Sequence, residues 1–468
     1  MTLRLYNTLG RRIEEFKPLQ EGLVKIYTCG PTVYDYAHIG NFRTFVFQDL
    51  LRRYLKYKGY SVFQVQNLTD VDDKTIKASR EQGVSLREYT DRYIQAYFQD
   101  IDTLGIERAE VYPRATEHIA DMVSLIKKLL DLGIAYFSEG SVYYRVSAFK
   151  DYGKLSGIKG ELKAERIKAD EYSKEEIRDF ALWKSWDEED GEVFWLTELG
   201  KGRPGWHIEC SAMSMKYLGE TFDIHSGGVD LIFPHHENEI AQSEAATGKL
   251  LARYWVHCEH LLVNGQKMAK SLGNYFTLRE LLARQYTPSA IRFLLLSAHY
   301  RDRLNFTFDG LAQAETVVRR LQDFSLRLTE AKPISHEDRL VESVKEYKAR
   351  FEEAMDNDLN SPTALAVFFE FVKEVNKKLD EGKVSQNDLE YCRAFLNTFN
   401  SIFNVIPSTQ EDRLEPELQA LIEQRQEARR RKDWATADKI RDELSRRGIQ
   451  LEDTPQGVKW RRVKRLTL

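Results

Sequence analysis

No stretch of this 468-residue chain approaches the roughly 20 consecutive apolar residues that a membrane-spanning helix needs. Nor does an apolar run follow the start. Arg4, Arg11 and Arg12 come first, so no secretory leader is expected. The four cysteines, Cys29, Cys210, Cys258 and Cys392, lie too far apart for a disulfide framework and suit a reducing compartment. Net charge is −4, too small to announce a nucleic-acid partner from the whole chain. Internal repeats and low-complexity segments are missing as well. These absences predict a soluble, cytoplasmic protein, and the length predicts about two to four domains.

What is present is unevenly placed. From Glu411 onward fifteen Lys/Arg stand against twelve Asp/Glu, and residues 456–468 carry Lys459, Arg461, Arg462, Lys464 and Arg465 with no acid. Such an end is either solvated or a contact for a phosphate backbone. Strand signals recur at 23–26, 61–66, 142–146, 222–225 and 254–263, with helical patterns between most of them. That alternation predicts an α/β domain with a parallel sheet, its ligands bound at the carboxyl ends of strands. Residues 105–205, with the charged segment 159–179 and short strands, read as an insertion into it. Beyond Phe308 four helical patterns follow, at 309–330, 337–356, 361–380 and 386–402, and Asn360-Ser361-Pro362 is a helix start. The last unit, from 408, holds two charged helices (415–432 and 434–447) and a terminal hairpin. The expected domains are therefore 1–308, 309–407 and 408–468.

Residues 27–41 run from a short buried strand through a Gly- and Pro-containing loop into a helix expected over 42–58. Unpaired N–H groups and the helix dipole both face such a loop, which makes it an anion site. His38 sits in it, and Cys29 ends the strand before it. Further on, His235-His236-Glu237-Asn238-Glu239 opens a helix expected to run to 246. Residues four apart share a helix face, so His235 and Glu239 can point at one centre, whereas His236 has Ile240 at that offset. Cys210 follows Trp206-His207-Ile208-Glu209 at a strand-to-helix junction. Two thiolates, one imidazole and one carboxylate make a zinc set by ligand type, although spacing alone does not bring them together. The alternatives are a surface His/Glu pair and small buried thiols, the reading taken for Cys258 and Cys392. Residues 264–274 put Lys267 and Lys270 three apart in a Gly-flanked loop, suited to charge developing on phosphate or simply a solvated turn.

Taken together these pieces resemble the cysteinyl-tRNA synthetases, a family of class I aminoacyl-tRNA synthetases. His38-Ile39-Gly40-Asn41 is similar to the class signature His-Ile-Gly-His with Asn last. Lys267-Met268-Ala269-Lys270-Ser271 looks like Lys-Met-Ser-Lys-Ser with Ala third, which leaves both ammonium groups in place. Residues 202–213, 223–231 and 69–74 look like the family's segments near the active site, and 438–444 and 457–460 like its C-terminal end. The resemblance runs from about 1 to 465.

It implies a Rossmann-type catalytic domain with the insertion at 105–205 facing the acceptor end and a stem-contact region at about 250–308. A helical bundle and a small mixed α/β anticodon-binding domain follow. The implied reaction forms cysteinyl-adenylate from L-cysteine and ATP, then transfers cysteine to the 3′ end of cysteine tRNA. His38, Gly40, Asn41 and Lys270 would bind ATP, and His38, Asn41, Lys267 and Lys270 would carry catalysis with Mg²⁺ on the diphosphate oxygens. Cys29, Cys210, His235 and Glu239 match the family's zinc ligands, with one Zn²⁺ per subunit selecting the substrate thiolate. A shape-only pocket would separate cysteine from serine by about 10–200-fold. Gly30, Thr69, Trp206, His225 and Asp230 would line the cysteine and ribose pocket. Arg429, Arg430, Arg431, Trp434 and Trp460 would meet the tRNA, although tryptophans are also ordinary core residues. The partners are ATP, L-cysteine and cysteine tRNA, with no membrane, and a monomer is expected. Two rivals remain: a mycothiol-type cysteine:amino-sugar ligase, which lacks the C-terminal unit, and a zinc-containing RNA-binding protein without catalysis.

Overall fold

A computed structural model describes residues 2–158, 167–169, 177–269, 272–407, 416–447, 449–454 and 457–462. The backbone forms two compact units, Met1–Val405 and Ile406–Leu468. At the centre of the first lies a four-stranded sheet in the order Ala252–Cys258, Phe222–Gly228, Leu23–Thr28, Ser61–Gln66, every pair parallel. Residues just past 105 already belong to this sheet's edge. The N–H of Gln66 donates to Val111 O (3.0 Å) and that of Leu68 to Pro113 O (2.9 Å). A five-stranded antiparallel sheet occupies the rest of the insertion, from Ala135–Ser138 to Gly200–Pro204. Most of the charged segment 159–179 lies outside the described residues.

The apolar run expected as one strand over 254–263 is two. Ala252–Cys258 closes the parallel sheet, whereas Leu261–Val263 joins a separate three-stranded sheet with Gln266–Lys267 and Leu304–Phe306. The break is made at Glu259, whose N–H turns to Tyr300 O (2.7 Å) instead of continuing the ladder. Helices Phe308–Glu330, Val341–Asp356, Ser361–Asp380 and Gln386–Phe403 follow as a bundle. Its centre is aromatic at helical spacing: Phe368 stacks on Phe399 with centroids 3.6 Å apart, and Phe351, Phe371, Phe395 and Phe403 close around them. Such ring pairs add about 0.5–1.5 kcal/mol each beyond the area they bury.

The helix Ile39–Tyr57 ties bundle and sheet together. Its buried Asp49 accepts from Arg53 Nε (2.7 Å) and from the Glu107 N–H (2.8 Å), and pairs with the Arg292 guanidinium. Arg292 also donates to Phe403 O (2.7 Å) and Leu104 O (3.2 Å). Farther along, Tyr54 hydroxyl donates to Asp356 Oδ1 (2.8 Å). The second unit packs Leu418, Ile422, Ile440, Leu444 and Ile449 between helices Pro416–Arg430 and Trp434–Arg446 and the hairpin Ile449–Thr454/Gly457–Arg462. Among the described residues no helix is long and apolar enough to cross a membrane, and all four cysteines are buried and free.

Candidate functional site

The sheet reverses its winding between Leu23–Thr28 and Phe222–Gly228, and such a reversal opens a crevice at the carboxyl ends of the strands. Cys29 leaves the first strand at that point, its N–H donating to Ser226 O (3.1 Å). The next residue has to be glycine. A Cβ on Gly30 would lie 1.9 Å from the Asn67 carbonyl oxygen, and the Gly30 N–H donates to Asn67 Oδ1 (2.9 Å). Asn67 Nδ2 donates to Thr69 Oγ1 (3.1 Å), which donates to Glu209 Oε2 (3.1 Å), all within the buried interior.

Across the crevice, Cys210 comes from the helix Trp206–Leu218, and His235 and Glu239 from a wide turn, Ile232–His236, and the helix Glu237–Thr247 that continues it. The donor atoms of Cys29, Cys210, His235 and Glu239 all lie within 4.8 Å of one another, and all four residues are buried. His235 Nε2 is 3.1 Å from Glu239 Oε1, and Cys29 Sγ is 3.9 Å from the same oxygen. Two sulfurs, a nitrogen and an oxygen at these separations fit a tetrahedral zinc. A second set, Cys29, His225, His236 and Glu239, meets the same criterion.

Burial and mutual charge set the protonation of the cluster. Burial raises the Cys29 thiol, and the neighbouring Cys210 and Glu239 push the same way. Burial acts on Cys210 too, but the hydrogen bond with Cys29 and the charge of His235 bring it down to about 6. Against burial, His225 and His235 hold Glu239 down at about 2, and Cys210 and Glu239 lift His235 to about 10. The metal-free cluster therefore keeps protons on Cys29 and His235, and a cation would displace them.

Trp206 stacks on His235 with centroids 4.2 Å apart, so it walls the ligand set. His225 Nε2 is 2.9 Å from Glu239 Oε2, with its ring flat against Trp255 at 4.4 Å. Asp230 is exposed on the turn Val229–Leu231 just beyond the strand. The expectation that His236 lacks an acidic neighbour does not hold. Its Nε2 is 3.2 Å from Cys29 Sγ and 3.9 Å from Glu239 Oε1, because neighbours three apart share a helix face as those four apart do, and Glu239 stands at that offset. The helix proper starts at Glu237, two residues later than expected.

On the other side of the loop the helix begins at Ile39, three residues earlier than expected, and the reason is a cap. His38 Nδ1 accepts from the Asn41 N–H (3.1 Å) and Asn41 Oδ1 from the His38 N–H (3.1 Å). This reciprocal pair is the logic of a capping box in which His and Asn take the usual places of Ser/Thr and Glu. With Nδ1 an acceptor, the neutral His38 ring carries its proton on Nε2. Gly40 lies between the two motifs: a Cβ there would come within 2.9 Å of the His38 ring and of Met268 Cε. Lys267 is exposed, and Asn274 bridges the loop's two ends, donating from Nδ2 to Lys267 O (3.1 Å) and accepting at Oδ1 from the Ala269 N–H (2.8 Å). Lys270 lies outside the described residues.

In the second unit, Arg429 and Arg430 end one helix, Arg431 follows, and Trp434 opens the next behind an Asp433 cap that accepts from the Thr436 N–H (3.1 Å). Arg430 and Arg431 both pair with Glu427. Trp434 is 57% exposed, which takes it out of the core. Trp460 pairs with Leu451 in the hairpin, and Lys464 and Arg465 lie outside the described residues. Sequence reasoning missed His236, His257, Asn67, Glu209 and the bridging role of Asn274. Only Glu209 carried a local signal, being a carboxylate next to Cys210 in a stretch otherwise fit for a core.

Comparison with known proteins agrees with this geometry. The family described as tRNA synthetases class I (C) catalytic domain matches residues 15–316, the DALR domain 350–406 and the cysteinyl-tRNA ligase anticodon binding domain 411–461. A cysteine–tRNA ligase of Solibacter usitatus is 50% identical over 468 residues, covering 99% of this chain and 100% of that protein. That of Protochlamydia amoebophila is 48% identical, covering 98% of each. Among solved structures, Mycobacterium tuberculosis methionyl-tRNA synthetase in complex with methionyl-adenylate has the same fold, with TM-score 0.60 and 14% identity over 82% of this chain and 90% of that one. Matched along its whole length, the chain belongs to the cysteine–tRNA ligase family of class I aminoacyl-tRNA synthetases.

Proposed function

We propose that the chain activates L-cysteine with ATP and passes it to the 3′ end of cysteine tRNA. In the first step a carboxylate oxygen of cysteine attacks the α-phosphorus of ATP, and the bond to the bridging oxygen breaks to release diphosphate. A terminal ribose hydroxyl of the tRNA then attacks the adenylate's carbonyl carbon. AMP leaves with the bonding pair, and the hydroxyl proton goes to solvent. The observation that carries this reading is the meeting, at one sheet crevice, of the buried Cys29, Cys210, His235 and Glu239 donors with the capped helix start at His38.

The first step asks the protein for positioning and charge stabilisation. The cap orients the His38 ring, with its proton on Nε2 as the donor an ATP phosphate would meet, and Asn41 beside it at the helix N-terminus. Gly40, without a side chain, allows close approach of the nucleotide. Lys267 and Lys270 stabilise the charge on the transferring phosphate, with Mg²⁺ arriving on ATP, and Asn274 keeps their loop closed on itself. A zinc ion held by Cys29, Cys210, His235 and Glu239 would supply a soft Lewis acid that prefers a thiolate to a hydroxyl. Trp206 and His225 wall this set, and with Gly30, Thr69 and Asp230 they bound the cysteine and ribose pocket.

Residues 1–308 carry this chemistry, with the insertion at 105–205 and the region 250–308 serving the acceptor end and stem. Residues 309–407 bridge to 408–468, where Arg429, Arg430, Arg431, Trp434 and Trp460 meet the anticodon, by phosphate contact and base stacking. The chain acts as a monomer. The match of residues 411–461 to an anticodon-binding domain weighs against the amino-sugar ligase. The test is cysteine-dependent ATP–diphosphate exchange without tRNA, followed by charging of cysteine tRNA. Exchange and charging are both expected. Absence of exchange with every amino acid would overturn the adenylate step, and exchange without charging would overturn the tRNA step.

A further inference from the structure

The cap holds His38 at one ring atom, where Nδ1 accepts the Asn41 N–H (3.1 Å). One bond at one atom leaves the plane of the imidazole to be set by what lies against it, and Tyr275 lies against it. The two ring centroids are 5.1 Å apart with their planes at 80°, the edge-to-face arrangement that aromatic pairs prefer. Both residues are only half-buried, so the contact stands outside the packed core.

The chain around Tyr275 is tied to the helix start. The Ile39 N–H donates to Phe276 O (2.9 Å), and His38 and Thr277 form an antiparallel bridge. Phe276 is anchored against Phe306 and Phe308, with centroids 5.9 and 5.2 Å away, so the segment cannot drift from the histidine. Tyr275 Oη comes 3.5 Å from Tyr36 O, two residues before His38, and the Tyr36 ring meets the Arg279 guanidinium (4.8 Å) and Tyr93 (5.3 Å). Burial, Tyr34 and Asp35 all push the Tyr275 phenol up, so the ring stays neutral and acts by contact. Immediately before it stands Asn274, which bonds to both Lys267 and Ala269 across the lysine loop.

We infer that Tyr275 is a positioning residue for His38, its ring fixing the imidazole plane so that the Nε2 proton meets the ATP phosphate. Because it directly follows Asn274, the histidine is set by the same segment that gathers the lysine loop. The inference rests on the adenylate step proposed above. A misoriented imidazole weakens the contact made as charge develops on phosphate and leaves the rest of the nucleotide bound, so kcat falls while KM for ATP holds.

The test is a double-mutant cycle in cysteine-dependent ATP–diphosphate exchange on the full chain. Tyr275→Leu is expected to lower kcat by about 10- to 100-fold with KM for ATP unchanged, since a misplacement of about 1 Å costs on the order of 100-fold. Tyr275→Phe, which keeps the ring, is expected to restore kcat. His38→Asn removes the imidazole but leaves a side chain that caps helices, and in that background Tyr275→Leu is expected to cost nothing further. An equal fall in both backgrounds would show Tyr275 acting on its own and would overturn the inference. So would an unchanged Tyr275→Leu, a Tyr275→Phe as damaged as Tyr275→Leu, or a rise in KM alone. A parent without exchange would instead overturn the adenylate step, and the inference with it. Should Tyr275→Leu not fold, Tyr275→Met, long but without a planar ring, takes its place under the same criteria.

Discussion

Gly30→Ala is the substitution whose effect follows most directly from the geometry. The new Cβ would stand 1.9 Å from the Asn67 carbonyl oxygen, with Asn67 C at 3.1 Å and Gln66 Cγ at 3.0 Å. Contacts of this kind settle no closer than about 3 Å, so the loop or the chain at Asn67 must move by about 1 Å or more. What it meets is backbone, held by the ladder of Ser61–Gln66, and it cannot rotate away. Forcing extra volume into a packed interior costs about 1–3 kcal/mol. The shift also strikes the residue beside Cys29 and breaks the Gly30 N–H bond to Asn67 Oδ1. A misplacement of about 1 Å near reacting groups costs on the order of 100-fold in rate. Expected results are therefore a lower denaturation midpoint, metal lost on dialysis that the parent withstands, and a fall in cysteine-dependent exchange of about two orders of magnitude. Gly40→Ala is the comparison. The nearest atoms its Cβ meets are the His38 ring and Met268 Cε, side chains away from Cys29, so metal should be retained while exchange falls. If Gly30→Ala keeps its metal and its exchange rate, the close approach at Asn67 does not position Cys29, and the reasoning fails.

Other outcomes follow from particular contacts. Asn41→Ala removes one half of the reciprocal cap on His38 and should destabilise the helix by about 1 kcal/mol, measured by urea denaturation. Arg292→Ala leaves Asp49 buried with one of its ion partners gone and should cost about 3–5 kcal/mol in the same assay. Asp73 would be raised by burial, but Lys184 and Arg203 outweigh that and hold its carboxylate below the usual range. Its stabilising effect is thus present above the unfolded carboxylate value and lost as pH falls through the folded one. Asp73→Asn should then be less stable than the parent at neutral pH, with the gap closing in acid. Metal uptake should release protons from Cys29 and His235 and tighten with rising pH through about 10, where His235 in the free cluster loses its own. Calorimetry in buffers of different ionisation enthalpy would count those protons.

The parallel sheet, the bundle and the terminal hairpin were legible because each is a local pattern: strand runs at 23–26 and 61–66, helical spacing past Phe308, a Thr-Pro-Gln-Gly turn near the end. The four donors Cys29, Cys210, His235 and Glu239 could be named by type, and the structure brings them together. Their meeting was not legible, since it depends on the reversal of sheet winding that sets Cys29 beside Ser226. For the same reason His257 went unseen. It alternates along a buried strand beside Trp255 as a core residue would, and only the cross-sheet approach to His236 gives it a partner. His236 was excluded because only the offset of four was weighed, whereas it approaches Glu239 at the offset of three. The split at Glu259 escaped because both strands are largely buried and the carbonyl that accepts the Glu259 N–H is that of Tyr300, some forty residues on.

The central claim is that buried Cys29, Cys210, His235 and Glu239 choose cysteine through a metal. The direct measurement is ATP–diphosphate exchange with cysteine and with serine, on the protein as purified and after chelation. The account predicts a cysteine preference far above the roughly 10–200-fold that pocket shape gives, collapsing when metal is withdrawn and returning when zinc is restored. An equal preference with and without metal would leave the enzyme and remove the selector.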